Sequence, residues 1–70
     1  LPSLKPRELV AILKSDDFVE IRQSGSHLVL RHPDGREVVV PIHSRELKRP
    51  TMLGIIQRAG YTPETFRRLL

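Results

Sequence analysis

The 70-residue chain contains no cysteine, and this absence excludes disulfide bonds, thiolate zinc sites and cysteine nucleophiles together. No apolar run approaches the roughly 20 residues that a membrane-spanning helix needs, and the first residues lack a signal peptide's apolar core. The four glycines are not clustered, so the chain has no glycine-rich phosphate-binding loop. We therefore expect a soluble cytoplasmic protein.

Aromatic residues are also scarce, and their scarcity argues against recognition of single-stranded nucleic acid by base stacking. Phe18, Tyr61 and Phe66 are the three aromatic residues of the chain. Both phenylalanines fall at positions that suit a hydrophobic core. Little aromatic surface is then left for a ligand.

Positive charge is abundant. Twelve basic residues against eight acidic ones give a formal net charge of +4, which favours anionic partners such as nucleic acid or an acidic protein. Nine of the twelve are arginines, whose planar guanidinium pairs with phosphate through two parallel hydrogen bonds. Charge alone leaves phosphate contacts and a merely solvated basic surface equally open.

Helical periodicity appears at both ends of the chain. Apolar residues behind Pro6 predict a helix over residues 6–15, since proline is well tolerated in a first helical turn. A second helix, predicted to begin at Pro50 or Thr51, carries an apolar stripe that Gly60 ends. Gly54 within that stripe predicts close packing against a sheet. A short third helix follows, starting at residues 62–64.

Three short segments between the helices alternate apolar and polar residues, as strands with one buried face do. They cover residues 18–23, 27–31 and 36–42. In the first, Val19 and Ile21 are predicted to face the core, with Glu20 and Arg22 opposite. Residues 32–35 are predicted to form a tight turn between two strands, because they combine proline with glycine.

These segments predict an α+β fold of order α-β-β-β-α with a three-stranded antiparallel sheet. Each helix and the sheet have a single apolar face, so both helices should pack on one side of the sheet. The opposite face then stays open to solvent. Strand parity places His27, Arg22 and Arg31 together on that open face.

His27 is the strongest candidate for chemistry. Histidine is the only side chain whose unperturbed pKa, about 6.5, lies near neutral pH, and His27 follows a small turn at Gly25-Ser26 that leaves room for a ligand. His32 begins a turn and His43 lies in the basic connection after the third strand. Either could contact a ligand, although a surface histidine in a turn is usually only solvated. Metal binding is not supported by the spacing of histidines and carboxylates, and Ser24 and Ser26 have no identifiable acid partner.

A second candidate is the basic segment 45–49, which carries Arg45, Lys48 and Arg49. Three positive charges in five residues suffice to hold a phosphodiester near the sheet. They do not by themselves show that such a ligand binds.

The ordered set of motifs resembles the HicA family of toxins. The motifs are Phe18, residues 22–27 (Arg-Gln-Ser-Gly-Ser-His), Pro33-Asp34-Gly35, Val38-Val39-Val40-Pro41, His43, Glu46-Leu47-Lys48, Thr51, Ile55-Ile56 and Ala59-Gly60. They span nearly the whole chain in one register. The chain departs from the family at Asp17, where a glycine is common, and at Pro50-Thr51, where Gly-Thr is frequent.

The resemblance implies a single HicA-like domain over residues 1–70, with a fold similar to double-stranded RNA-binding domains. It also implies an mRNA interferase of a type II toxin–antitoxin pair, neutralised by a HicB antitoxin that covers the active site. The family's catalytic histidine aligns with His27. On this basis we expect metal-independent cleavage of single-stranded RNA, without a cofactor, by attack of the substrate's 2′-hydroxyl on the adjacent phosphate.

His27 would act in that reaction as general base, or as general acid on the leaving 5′-oxygen. The expected RNA-contacting residues are Arg22, Gly25, Ser26, Arg31, Arg45 and Lys48. Two other readings stay open at this point: a non-catalytic RNA-binding module that uses the same basic face, and a purely structural subunit. The sequence does not name a second proton-transfer group, the RNA sequence preference or the oligomeric state.

Overall fold

A computed structural model describes residues 1–43 and 45–70. Its elements are α1 (Pro6–Ser15), β1 (Val19–Ser24), β2 (His27–Arg31), β3 (Glu37–Pro41), α2 (Arg49–Arg58) and α3 (Pro63–Arg67). The strands form one antiparallel sheet in the order β1-β2-β3. The predicted α+β class and element order are confirmed. Among the described residues, no helix has the length and apolar character needed to cross a membrane.

Local sequence explains where the helices begin. Pro6 opens α1, and the Glu8 carboxylate accepts a hydrogen bond of 2.7 Å from the Lys5 backbone N–H, which satisfies a donor at the helix start. Thr62 caps α3 in the usual way, because its hydroxyl accepts a hydrogen bond of 3.1 Å from the Thr65 backbone N–H.

Both main helices pack on the same face of the sheet, as predicted. Leu28 and Leu30 of β2, with Val38 and Val40 of β3, belong to one core cluster with residues of α1 and α2. The helical members of that cluster are Leu9, Val10, Leu13, Met52, Ile55 and Ile56. Each such side chain contributes about 1.5–3 kcal/mol when it leaves water, so this one interface supplies most of the driving force for folding.

The predicted alternation of β1 is wrong before Arg22. Val19 and Ile21 are 54% and 41% exposed instead of buried. The cause is an irregularity in the β1–β2 register between Glu20 and Arg22, because one extra residue in a strand inverts the parity on one side of it. Glu20 accordingly reaches the helix side, where its carboxylate pairs with the Lys14 ammonium at 3.1 Å.

Gly54 does not pack closely on the sheet, contrary to the prediction. A Cβ added there would have no neighbour within 4 Å, and the residue lines an open groove between β3 and α2. The apolar stripe on either side of it, Met52 and Ile55-Ile56, is buried as expected. The stripe therefore packs on the sheet while Gly54 borders the solvent-filled edge of the interface.

The Arg36 side chain connects the β2–β3 turn with the end of α2. Its guanidinium pairs with Asp34 at 2.9 Å and donates a hydrogen bond of 2.5 Å to the Ala59 carbonyl oxygen. It also lies 5.3 Å from the Phe18 ring centre and 5.8 Å from that of Tyr61. A cation that satisfies a carbonyl at a helix C-terminus, between two aromatic rings, stabilises both elements. Its bond to Asp34 lowers the pKa of that carboxyl.

Tyr61 extends this contact to α1, because its hydroxyl donates a hydrogen bond to the Asp16 carboxylate at the C-cap of that helix. Burial, followed by the hydrogen bond and negative charge of Asp16, raises the pKa of Tyr61 to about 12. Both effects favour the neutral phenol in the folded protein.

Replacing Gly60 by alanine should destabilise the protein. Gly60 has φ +93°, and an added Cβ would lie 2.9 Å from the Arg36 Nη1 atom. A left-handed backbone costs a non-glycine residue roughly 1–2 kcal/mol, so Gly60→Ala should lower the free energy of unfolding in urea by about that amount. The matched control Gly54→Ala, inside α2, should raise it by roughly 0.5–1 kcal/mol. Equal effects of the two substitutions would contradict this account.

The Tyr61 contact should weaken in alkaline solution. A folded-state pKa of about 12, against an ordinary value of 10.0, means that the neutral phenol contributes stability below pH 10, which is lost as the pH rises to 12. The unfolding free energies of the parent and of Tyr61→Phe, measured by urea titration at each pH, should therefore converge between pH 10 and 12. A difference that stays constant across that range would be inconsistent with this pKa.

Candidate functional site

His27 is the first residue of β2 and is exposed. The turn before it has φ +57° at Gly25 and a negative φ at Ser26, a combination found in type II′ hairpin turns that explains the glycine. The Gln23 side-chain amide donates a hydrogen bond of 3.1 Å to the Gly25 carbonyl oxygen across this turn. A Cβ added to Gly25 would meet nothing within 4 Å, so the space beside the turn is open.

Two residues face His27 directly across the sheet, Ser24 on β1 and Pro41 on β3. The Ile42 backbone N–H donates a hydrogen bond of 2.6 Å to the Ser26 carbonyl oxygen. His27 and Pro41 thus form the adjacent non-hydrogen-bonded pair, in which side chains come closest. Proline is tolerated here because β3 is an edge strand and residue 41 donates no ladder hydrogen bond.

Of the two arginines predicted to share the open face with His27, only Arg22 is near it. Arg22 is paired with Val29, which makes it a diagonal neighbour of His27 at about 7–8 Å between Cα atoms. Arg31 lies four residues along β2, about 13 Å away at 3.3 Å per residue. Its guanidinium also pairs with the Glu37 carboxylate at 2.7 Å, with both side chains partly exposed.

The middle of the open face is apolar. Val29 pairs with Val39 on β3 and with Arg22 on β1, next to the bulge at Ile21. Val39 is 44% exposed, whereas Val29 on the central strand is buried between its neighbours. The face therefore combines an apolar centre with His27 at one end and the Arg31–Glu37 ion pair at the other.

A groove of about 210 Å³ opens at the His27 end of the sheet. Pro41 forms one wall, and His43, Arg45 and Lys48 bring their basic side chains to the same groove. The segment after β3 is held there by Leu47, which is buried and whose backbone N–H donates a hydrogen bond of 2.8 Å to the Leu4 carbonyl oxygen. Arg45 and Lys48, both predicted as RNA-contacting residues, thus lie beside the strand that pairs with His27.

The third histidine is at the opposite end of the molecule. The His32 ring packs edge-on against Phe18, with 5.2 Å between ring centres, and its Nδ1 accepts a hydrogen bond of 3.1 Å from the Asp34 backbone N–H. These contacts give His32 a structural role in the β2–β3 turn. In residues 1–43 and 45–70, no three histidine or acidic side chains form a cluster that could hold a metal ion.

His43 is the residue of this region that sequence reasoning undervalued. The sequence places it in an irregular connection and leaves ligand contact open, and the structure shows that it lines the groove together with the two predicted cations. The available signal was its position two residues after Pro41, which gives it the parity of the open face if the extended backbone continues past β3.

Comparison with known proteins adds one positive finding. No curated protein matches the chain. The family model described as the HicA toxin of bacterial toxin–antitoxin systems matches residues 6–61. The matched region runs from the first residue of α1 to Tyr61 and includes the whole sheet, His27 and the basic groove. The chain therefore belongs to the HicA toxin family of bacterial toxin–antitoxin systems.

Proposed function

We propose that this HicA-family toxin is an endoribonuclease that cleaves mRNA, with His27 as its catalytic histidine. The observation that carries the proposal is the position of His27: exposed, after an open glycine turn, and paired with the strand that borders a basic groove. A proton-transfer group next to cations is what cleavage of a phosphodiester requires.

The proposed reaction uses the nucleophile that RNA itself provides. His27 takes the proton of a 2′-hydroxyl, whose oxygen forms a bond to the adjacent phosphorus while the bond from phosphorus to the 5′-oxygen breaks. The electron pair of the broken bond goes to the 5′-oxygen, which takes up a proton. The products are a 2′,3′-cyclic phosphate and a 5′-hydroxyl, and the reaction is proposed to need no metal ion. One positioned proton-transfer group accelerates such a step by roughly 10²- to 10⁴-fold.

Positive charge near His27 would stabilise the phosphorane as negative charge develops on its oxygens. Arg22, the diagonal neighbour of His27, and Lys48 in the groove are the proposed donors. Arg45 and Arg31 would hold more distant phosphates, with Arg31 exchanging its partner Glu37 for RNA. The Gly25-Ser26 turn would let the ribose–phosphate chain approach closely.

A protein partner is expected as well, and we propose a HicB-type antitoxin that covers the open sheet face. The exposed apolar side chains Val19 and Ile21 on β1 and Val39 on β3 support this proposal, because apolar side chains exposed on a small protein can be buried by a partner. The chain's net charge of +4 favours an acidic partner surface. Such a partner would exclude RNA from His27.

His27→Ala should lower the rate of RNA cleavage by roughly 10²- to 10⁴-fold in buffer containing EDTA. Because His27 is exposed, its removal should change the free energy of unfolding by no more than about 0.5 kcal/mol. Cleavage of a labelled RNA is followed by gel, and product ends are identified by mass spectrometry. His32→Gln, folded by circular dichroism, is the control and should retain the parent's rate.

Three outcomes of that experiment would count against the proposal. If folded His27→Ala cleaves as fast as the parent, His27 is not catalytic. Products with 3′-hydroxyl ends would refute attack by the 2′-hydroxyl. If the pure parent binds RNA in a salt-dependent way but never cleaves it, the chain is a non-catalytic RNA-binding module.

The two arginines of the open face should contribute differently. Arg22→Gln and Arg31→Gln should each reduce the slope of log K against log salt concentration for single-stranded RNA by about 0.7, the value for one lost phosphate contact. Arg22→Gln should in addition lower kcat, because Arg22 is close to His27. The control Arg7→Gln, on exposed α1 surface, removes the same charge and should leave the slope unchanged. Identical slopes for all three variants would show that only net charge matters.

A further inference from the structure

We propose that His43 is the second proton-transfer group of the site and protonates the 5′-oxygen as it leaves. This inference rests on the proposed ribonuclease function and assigns the role that His27 alone leaves unfilled. Attack and departure occur on opposite sides of the phosphorus, so the base on the 2′-oxygen and the acid on the 5′-oxygen are separate groups. The geometry at the end of β3 supplies such a group.

The sheet ladder continues past the last residue of β3. The Ile42 N–H bonds to the Ser26 carbonyl oxygen at 2.6 Å, so residues 41 and 42 keep the register that pairs Pro41 with His27. His43 follows directly after Ile42, beyond the end of β3, and so lies at the same end of the sheet as His27.

The side-chain alternation also continues. Ile42 is partly buried and packs against the core, which means that it points to the helix side of the sheet. Pro41, the residue before it and the partner of His27, therefore lies on the other side of the sheet. His43 is exposed and lines the groove that Pro41 borders, together with Lys48 and Thr51 at the start of α2. His27 on β2 and His43 after the end of β3 are thus placed on the two sides of Pro41, where one phosphodiester could reach both.

The groove explains which histidine acts on the leaving group. Arg45 lines the same cavity as His43, so it would hold the phosphate of the nucleotide that follows the scissile bond, while Lys48 reaches the scissile phosphate itself. The 5′-oxygen that departs belongs to that nucleotide and would lie on the His43 side. His27, next to the Gly25-Ser26 turn and Arg22, would then face the 2′-hydroxyl.

His27 and His43 together account for the two proton transfers of this step. Neutral His27 receives the proton of the 2′-hydroxyl as the bond between that oxygen and phosphorus forms. The bond between phosphorus and the 5′-oxygen breaks, its electron pair goes to that oxygen, and protonated His43 supplies the proton. His27 ends protonated and His43 neutral, and exchange with water restores both.

The experiment compares two RNA oligonucleotides that differ in one atom at the mapped cleavage position, the 5′-bridging oxygen or a sulfur in its place. A thiolate leaves without a proton, so the sulfur substrate does not need a general acid. His43→Gln should slow the oxygen substrate by roughly 10²- to 10⁴-fold and the sulfur substrate by less than about threefold. His27→Ala should slow both substrates.

A merely structural role of His43 would slow both substrates equally, and that result would overturn the inference, as would an unchanged rate on the oxygen substrate. Glu46→Gln is the matched variant, because Glu46 is another titratable side chain lining the groove. If Glu46→Gln slows cleavage of the oxygen substrate but not of the sulfur substrate, and His43→Gln shows no such difference, the general acid is Glu46 and the inference fails. Circular dichroism checks that every variant is folded.

Failure of the proposed function gives a different pattern. A parent protein that cleaves neither oligonucleotide contradicts the ribonuclease proposal itself, whatever the variants do. A parent that cleaves both, with His27→Ala impaired on both and His43→Gln unaffected or equally impaired, contradicts only the assignment of His43.

Discussion

Burial of one sheet face is the constraint on which the rest of this structure depends. The chain has two main helices and three strands, and Leu28, Leu30, Val38 and Val40 give the sheet one apolar surface that both helices cover. Small domains bury only about 60% of the surface that their unfolded chains expose. In residues 1–43 and 45–70 no helix or strand covers the second face, which is exposed to solvent in this structure with His27 at its edge.

The two ends of the sheet are stabilised in different ways. At the β2–β3 turn, Arg36 and Tyr61 connect three elements through hydrogen bonds and ring contacts. At the other end, the glycine turn is open and the segment after β3 is held mainly through Leu47. Specific polar contacts thus stabilise the end remote from His27. At the His27 end the polar and basic side chains are exposed.

The bulge in β1 limits what apolar–polar alternation can predict about side-chain burial in that strand. Simple alternation predicts that Val19 and Ile21 are buried and that Arg22 faces solvent. Arg22 does face solvent, but Val19 and Ile21 are exposed as well. The position of Arg22 was right because β1 pairs regularly with β2 from Arg22 to Ser24, and the error was confined to the residues before the bulge. An extra residue leaves no mark in composition, because its position depends on how β1 pairs with β2.

The amino-acid sequence by itself determined the elements, their order, the one-sided core and the face on which His27 lies, because these follow from local periodicity and turn chemistry that short segments carry. Helix bounds such as 6–15 could be read directly from proline and the apolar spacing. Only the tertiary structure decided which residues join His27. Arg31 is too distant, and the groove lined by His43, Arg45 and Lys48 opens beside Pro41, the partner of His27, because strand register and the hydrogen bond between Leu47 and Leu4 link residues far apart in the chain.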